Sequence, residues 1–214
     1  MDRLKSHRKN YGKNSLNEQS INSNPFLQFK QWLDDAFEHE KSEPNAMTMA
    51  TANAKGIVSA RILLLKELDN TGFIFYTNFD SRKAQDLQEN PNTSLLFWWP
   101  ATERQVRIEG CVEKIDDKTA DAYYESRSRD SKLGAYASKQ SKKIADRNEL
   151  DNEFKLFEQK FKQQEHIPRP KNWGGYRVIP NAIEFWQGGA HRLHDRYRFE
   201  KNNSGNWEFF RLAP

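Results

Sequence analysis

The chain has 214 residues, is 36% hydrophobic and 13% aromatic, and carries 34 Lys and Arg against 30 Asp and Glu, with a mean hydropathy of -0.99. That length suits one large domain with an aromatic-rich core, and a lone cysteine, Cys111, excludes an intrachain disulfide framework. No apolar run approaches membrane-spanning length and the basic N-terminus lacks an apolar signal region, so the expectation is a cytoplasmic protein without membrane contact.

Residues 1–23 read as a polar, mobile leader, and residues 24–214 as a single domain. Arg3, Lys5, Arg8, Lys9 and Lys13 against Asp2 leave the leader at +4, the formal charge of the whole chain. The remaining body is neutral, which argues against nucleic acid as a partner. The leader can still fold over an anionic ligand.

Asn24 as a cap, Pro25 in the first turn and a stripe of Phe26, Phe29, Trp32, Leu33 and Phe37 predict a helix over residues 24–40. Strands are expected over 46–52, 57–68, 72–78, 93–99 and 104–115, with Asp69-Asn70-Thr71-Gly72 supplying hairpin turn chemistry. Helices follow over 81–90 (stopped by Pro91), 118–126, 131–138 and 148–161, the last with Leu150, Phe154, Phe157 and Phe161 on one face. Strands return at 176–179, 183–186, 192–199 and 207–212. Sequential strands without regular strand–helix alternation predict a mainly β fold, an antiparallel barrel with peripheral helices.

The segment from Glu184 to Arg196 carries the strongest chemical signal. Phe185 and Trp186 lead into Gly188-Gly189, and Arg192, His194 and Arg196 then fall at alternate positions. On a strand these three share a face, suited to a phosphate or an electron-rich ring. A solvated edge strand whose charges discourage aggregation fits the same pattern. Arg61-Ile62-Leu63-Leu64-Leu65-Lys66 has a cation at each end, and reads equally as an ordinary core strand with solvated ends. Ser81-Arg82-Lys83 opens a helix just after Tyr76-Thr77, where free backbone amides and two cations suit a phosphate; a plain solvated helix start looks the same. Gln105 can hydrogen-bond a heterocycle, and Gln140-Ser141 offers an amide and a hydroxyl. Together these make two phosphate-sized cation groups: Arg61, Arg82 and Lys83 in one, Lys66, Arg127 and the Arg192 segment in the other.

Sequence motifs for the common hydrolases, nucleotide-binding loops and zinc proteases are absent. His191 and His194, three apart, would face opposite sides of a strand, so no metal site is expected. Cys111 reads as a small core residue, and Phe97, Trp98, Trp99, Phe185 and Trp186 as core or subunit interface.

The motifs R-I-L-L-L-K (61–66), F-Y-T-N (75–78), S-R-K-A (81–84), E-R-Q-V (103–106), S-R-S-R-D-S (126–131), A-S-K-Q-S (137–141), F-W-Q-G-G (185–189), H-R-L-H-D-R (191–196) and the closing R-L-A-P occur in order. In this the chain resembles the pyridoxine/pyridoxamine 5′-phosphate oxidase family from about residue 46 to 214, with an echo in Arg8-Lys9-Asn10-Tyr11. The resemblance implies an FMN-binding split β-barrel of antiparallel Greek-key type, a homodimer with FMN at the subunit interface. It assigns Arg61, Ile62, Leu63, Leu64, Leu65, Lys66, Tyr76, Thr77, Arg82, Lys83, Gln105, Gln140, Ser141, Trp186 and Arg196 to FMN. It assigns Lys66, Tyr123, Arg127, Ser131, Arg192, Leu193 and His194 to the substrate, covered by Arg8, Lys9, Asn10 and Tyr11. The implied reaction oxidises pyridoxine 5′-phosphate or pyridoxamine 5′-phosphate to pyridoxal 5′-phosphate, with O2 as acceptor. Arg192 would orient the substrate and assist proton removal, and His194 would bind or polarise it. Another flavin oxidase on the same barrel, of the phenazine-biosynthesis type, or a non-catalytic binder of flavin or pyridoxal phosphate, shares most of these features. Ser128 stands where the family commonly has Pro, and Tyr136 where it has Trp.

Overall fold

Alternation of buried and outward residues builds the sheet. In strand β1 (Ala46–Ala52) Met47, Met49 and Thr51 face inward, and in its neighbour over Asn92–Trp99 the inward set is Thr93, Leu95, Phe97 and Trp99. A computed structural model describes residues 2–214; Met1, the first residue of the leader, lies outside the described residues. In chain order the other elements are α1 (Asp2–Ser6), α2 (Pro25–His39), β2 (Val58–Leu64), β3 (Glu67–Leu68), β4 (Phe73–Asn78), α3 (Arg82–Glu89), β5 (the Asn92–Trp99 strand), β6 (Arg104–Lys114), α4 (Asp117–Glu125), α5 (Arg129–Ala137), α6 (Arg147–Lys160), β7 (Trp173–Gln187), β8 (Asp195–Lys201) and β9 (Trp207–Leu212). The strands run β2-β1-β5-β6-β7-β4-β3, with β8 added on β7 and β9 on β8, and every pairing is antiparallel. This is the expected mainly β, split-barrel architecture.

Helix α2 fills the barrel. Asn24 caps it by accepting from the amides of Phe26 and Leu27, and Phe29 meets Phe73 and Phe97 edge-on at 5.0 Å each. Trp32 packs on Phe185 at 5.3 Å. The apolar stripe differs from expectation at its end: Phe37 is 58% exposed, and Ala36, fully buried, takes the inward position. Leu16 and Ile21 of the leader are also buried in this core.

Three predicted strands change shape. The 57–68 run breaks after Leu64, because the Leu65 amide bonds Asn45 O and the Lys66 amide bonds Ile74 O, carrying the chain from the β1 edge to β4. The predicted pair 176–179 and 183–186 is one long strand, β7, bent where Pro180 cannot donate and where the register with β6 shifts between Glu109 and Gly110. A Cβ on Gly110 would lie 2.2 Å from Ile179 O, so the close approach there needs glycine. With Ile108 and Gly110 facing inward, Cys111 points outward; it is exposed rather than a core residue.

Ser128 has a definite place. Its hydroxyl accepts from the Ser131 amide as the N-cap of α5, which starts at Arg129 rather than at the expected 131. Ser128→Ala is expected to destabilise the protein by about 1 kcal/mol, read as a lower urea midpoint at unchanged slope. Tyr136 packs on Phe157 and Phe161 at 5.2 and 5.0 Å and donates its hydroxyl to Pro168 O, anchoring α5 to α6.

Candidate functional site

A cavity of about 710 Å³ opens between the β2–β4 region and helices α4 and α5. Ile62, Leu63, Leu64, Lys66, Tyr76, Thr77, Lys83 and Gln140 line it from the set expected at FMN, and Tyr123, Arg127 and Ser131 from the substrate set. Arg61, Leu65, Arg82 and Ser141 do not: Leu65 is buried in the barrel core, and Ser141 borders a smaller hollow of about 150 Å³ with Gln140.

Lys83 is the most telling residue here. Ser81 caps α3 and so places Lys83 in its first turn, 7% exposed. Among the described residues its ammonium meets only neutral oxygens, Thr77 Oγ1 and Gln140 Oε1 at 3.0 Å and Ser81 Oγ at 3.3 Å. Burial, reinforced by the nearby Arg61 guanidinium, pushes its pKa down to about 8. A buried cation without a carboxylate is costly unless an anion joins it. Arg61 reaches the Met49 carbonyl, Thr51 Oγ1 and Ser59 Oγ, with Asp86 4.0 Å away, so its charge is partly answered. Arg82 is exposed at the helix start.

On the far wall, Tyr123 stacks on Tyr76 at 3.8 Å and Tyr76 on Trp173 at 5.5 Å. Burial and the neighbouring Glu67, whose carboxylate accepts the Tyr76 hydroxyl at 2.6 Å, hold that phenol protonated far above its usual range. Arg127 lies over the Trp173 ring at 4.5 Å and donates to Ser131 O at 2.9 Å; no carboxylate pairs with it among the described residues. Burial lowers its pKa against the opposing pull of Tyr123 and Tyr124.

The Arg192 segment is elsewhere. A second cavity, about 630 Å³, is lined by His7, Arg8, Lys9, Asn10, Tyr11, Gly189, His191, Arg192 and His194. The expected strand 192–199 does not begin at Arg192: a 3-10 turn spans Ala190–Arg192, His191 and Arg192 take φ of 56° and 65°, and β8 starts at Asp195. The Leu193 amide closes the turn on Ala190 O, and the Gly189 amide donates to His194 Nδ1 at 3.1 Å. Arg192, His194 and Arg196 therefore do not form one strand face. Nor does Arg192 join Lys66 and Arg127 in one protomer, as the second cation group required. Arg192 is exposed, and Leu193, 70% exposed, borders the C-terminal end with Ala213 and Pro214.

His194 stands 4.6 Å from the Trp186 ring and 5.9 Å from Tyr11. Burial, with Arg192 and Arg196 adding repulsion against Asp195, lowers its pKa, so it is neutral near pH 7 with Nδ1 accepting. Arg196 is paired: its guanidinium meets Glu184 at 2.9 Å and Ala213 O at 2.8 Å. Gln105 and Trp186 are register partners on β6 and β7, and Arg196 faces Trp186 on β8.

Several contributors were not expected. Trp173 lay outside every predicted strand, and Gly134, Ala135 and Ser138 give α5 a small-residue face on the first cavity; the run of small residues in L-G-A-Y-A was the available signal. Glu184 answers Arg196 only through strand register, which no local pattern reveals.

The family model described as pyridoxamine 5′-phosphate oxidase matches residues 33–161, and that of the pyridoxine 5′-phosphate oxidase C-terminal dimerisation region matches residues 173–214. A pyridoxine/pyridoxamine 5′-phosphate oxidase of Cupriavidus metallidurans is 49% identical over the full length of both chains. One from Acaryochloris marina is 52% identical, covering 97% of this chain and 94% of its own. Among solved structures, PhzG from Burkholderia lata 383, in complex with tetrahydrophenazine-1-carboxylic acid, superposes with a TM-score of 0.88 at 30% identity, covering 95% of this chain and 100% of its own. On these matches, and on a barrel and a cation-lined cavity of the kind described, the chain belongs to the pyridoxamine 5′-phosphate oxidase family.

Proposed function

We propose that the protein is an FMN-dependent oxidase that converts pyridoxine 5′-phosphate and pyridoxamine 5′-phosphate to pyridoxal 5′-phosphate, using O2. The buried, carboxylate-free ammonium of Lys83 carries this reading, because it asks for an anion inside a cavity large enough for a flavin. The donor set fits FMN: Lys83, Arg61 and Arg82 for the phosphate, the Ile62–Lys66 backbone with Tyr76, Thr77, Gln140 and Ser141 around the rest. When bound, FMN supplies the hydride acceptor for C4′ of the substrate and is reoxidised by O2, yielding hydrogen peroxide, and ammonia from the amine.

The second cavity supplies what the first lacks. In a homodimer with FMN at the interface, Gln105, Trp186 and Arg196 of one protomer would complete the flavin site of the other. Lys66, Tyr123, Arg127 and Ser131 would hold the substrate phosphate, and Arg192 and His194 would face its ring. Neutral His194 donates a hydrogen bond from Nε2, and Arg192 orients the substrate and favours loss of its proton. Arg8, Lys9, Asn10 and Tyr11 would exclude water above it.

The likeness to PhzG favours one second reading, a flavin oxidase acting on a phenazine precursor. Lys66 and Arg127, two cations lining one cavity without a carboxylate partner among the described residues, fit a phosphorylated substrate better. A flavin spectrum of the purified protein, followed by pyridoxine 5′-phosphate under anaerobic conditions, tests the assignment. Bleaching of the yellow colour is expected. A colourless protein that takes up no FMN refutes it, and a yellow protein left unbleached points to another substrate.

A further inference from the structure

Glu103 has a buried carboxylate, 2% exposed, whose partners are the main chain of the leader some 90 residues away. Gly12 and Lys13 donate their amides to its Oε2 at 2.8 and 3.1 Å, and Lys9 Nζ stands 3.4 Å from Oε1. Lys13 Nζ adds a bond to the Ala101 carbonyl at 2.7 Å. Burial alone would raise the Glu103 pKa; the two amides and Lys9 outweigh it and hold the group below its usual range.

The backbone around this carboxylate is specialised. Glu103 sits at φ 58°, a left-handed conformation that costs a non-glycine residue energy and persists only when its surroundings enforce it. The enforcement is visible: Glu103 O accepts from the Gly188 amide at 2.8 Å and from Gln187 Nε2 at 3.2 Å, tying the turn to the end of β7. Gly188 is then bare where the leader crosses it. A Cβ there would lie 2.9 Å from Tyr11 Cβ and Cγ and 3.1 Å from Glu103 Cβ. The Tyr11 ring so seated meets Trp186 at 5.7 Å and His194 at 5.9 Å.

We propose that Glu103 and Gly188 form a latch that fixes leader residues 9–13 against the Trp186–His194 wall, making Glu103 a positioning residue for the substrate-side cavity. A carboxylate serving only its own turn would bond within that turn; this one receives two amides and an ammonium from a distant segment. The kinetic consequence rests on the oxidase reading, whereas the latch itself does not.

Limited trypsin digestion of the full-length, flavin-loaded protein, followed by mass spectrometry, tests the latch through cuts after Arg8, Lys9 and Lys13. In Glu103→Gln the volume is nearly unchanged and the one remaining oxygen can still accept from Gly12 and Lys13, but those bonds lose their charge assistance and the NH2 group then faces Lys9 Nζ in place of a carboxylate oxygen. Leader cleavage should accelerate about tenfold, with the melting temperature and the digestion pattern of residues 24–214 as in the wild type. Gly188→Ala, which keeps Glu103 and displaces Tyr11, should accelerate the same cuts. With pyridoxine 5′-phosphate, Glu103→Gln should raise KM about tenfold and leave kcat within about twofold, a split that general loss of folded protein does not produce. Leader cleavage at the wild-type rate in Glu103→Gln overturns the proposal, and so does acceleration spread over the whole chain, which would make Glu103 a folding residue. Should the wild type fail to oxidise pyridoxine 5′-phosphate, the oxidase reading falls while the cleavage comparison still decides the latch.

Discussion

Lys83→Met is expected to weaken FMN binding about a hundredfold while the protein stays folded, since loss of a charge-assisted contact from a buried ammonium costs more than loss of a surface ion pair. Methionine matches the lysine stem in length and removes a buried charge that only Thr77, Ser81 and Gln140 now solvate. The flavin-free variant should therefore be no less stable than the flavin-free wild type. The pH dependence has two opposite signs. Between the folded pKa of about 8 and the unfolded value of 10.5 the unfolded chain binds more protons, so this group makes the flavin-free protein more stable as pH rises through that window. If Lys83 holds the FMN phosphate as proposed, binding needs the ammonium, and affinity should fall above pH 8 by up to about tenfold per pH unit. Quenching of flavin fluorescence on titration at pH 7 and pH 9 measures this. Equal affinities in wild type and Lys83→Met at pH 7 would show that the phosphate sits elsewhere.

Arg192→Ala should lower turnover of pyridoxine 5′-phosphate about a hundredfold or more with flavin occupancy retained. Arg192 lines the second cavity with His194 and has no carboxylate partner among the described residues, whereas the cations expected at FMN stand on β2, on the link at Lys66, on α3 and on β8. Alanine carries the same Cβ, so the left-handed backbone at this position gains no new strain. Steady-state turnover and the absorbance ratio of flavin to protein, taken on one preparation, separate the two effects. Unchanged turnover removes Arg192 from the reaction, and loss of flavin moves it to the cofactor site.

The barrel strands and the core helix were legible because their apolar residues follow the period of the element they form. Met47 and Met49, or Phe97 and Trp99, alternate as a half-buried strand requires, and Phe26, Phe29 and Trp32 share one helical face. Asn24 announced its helix through capping chemistry acting over two to three residues. Local signals failed where a distant partner decided the outcome. The run 57–68 reads as one strand, with Ile62 to Leu65 uninterruptedly apolar, yet it breaks because the Asn45 and Ile74 carbonyls take the Leu65 and Lys66 amides. Phe37 continues the apolar stripe of α2, but the barrel ends before it.

The amino-acid sequence alone determined which residue types were available for the proposed flavin and substrate: Lys83 at a helix start, Arg127 before a short helix, and Arg192 and His194 after a double glycine. Those depend on short-range chemistry and on motif order, which one chain carries by itself. Tertiary structure decided which of them meet. It placed Lys66 and Arg127 around the same cavity as Lys83, turned Arg192 out of the strand it was expected to begin, and set His194 against Tyr11. It also recruited Glu103, Glu184 and Trp173, whose roles come from strand register and long-range hydrogen bonds. Such contacts join residues some ten to 90 positions apart, and no periodicity within one segment encodes them.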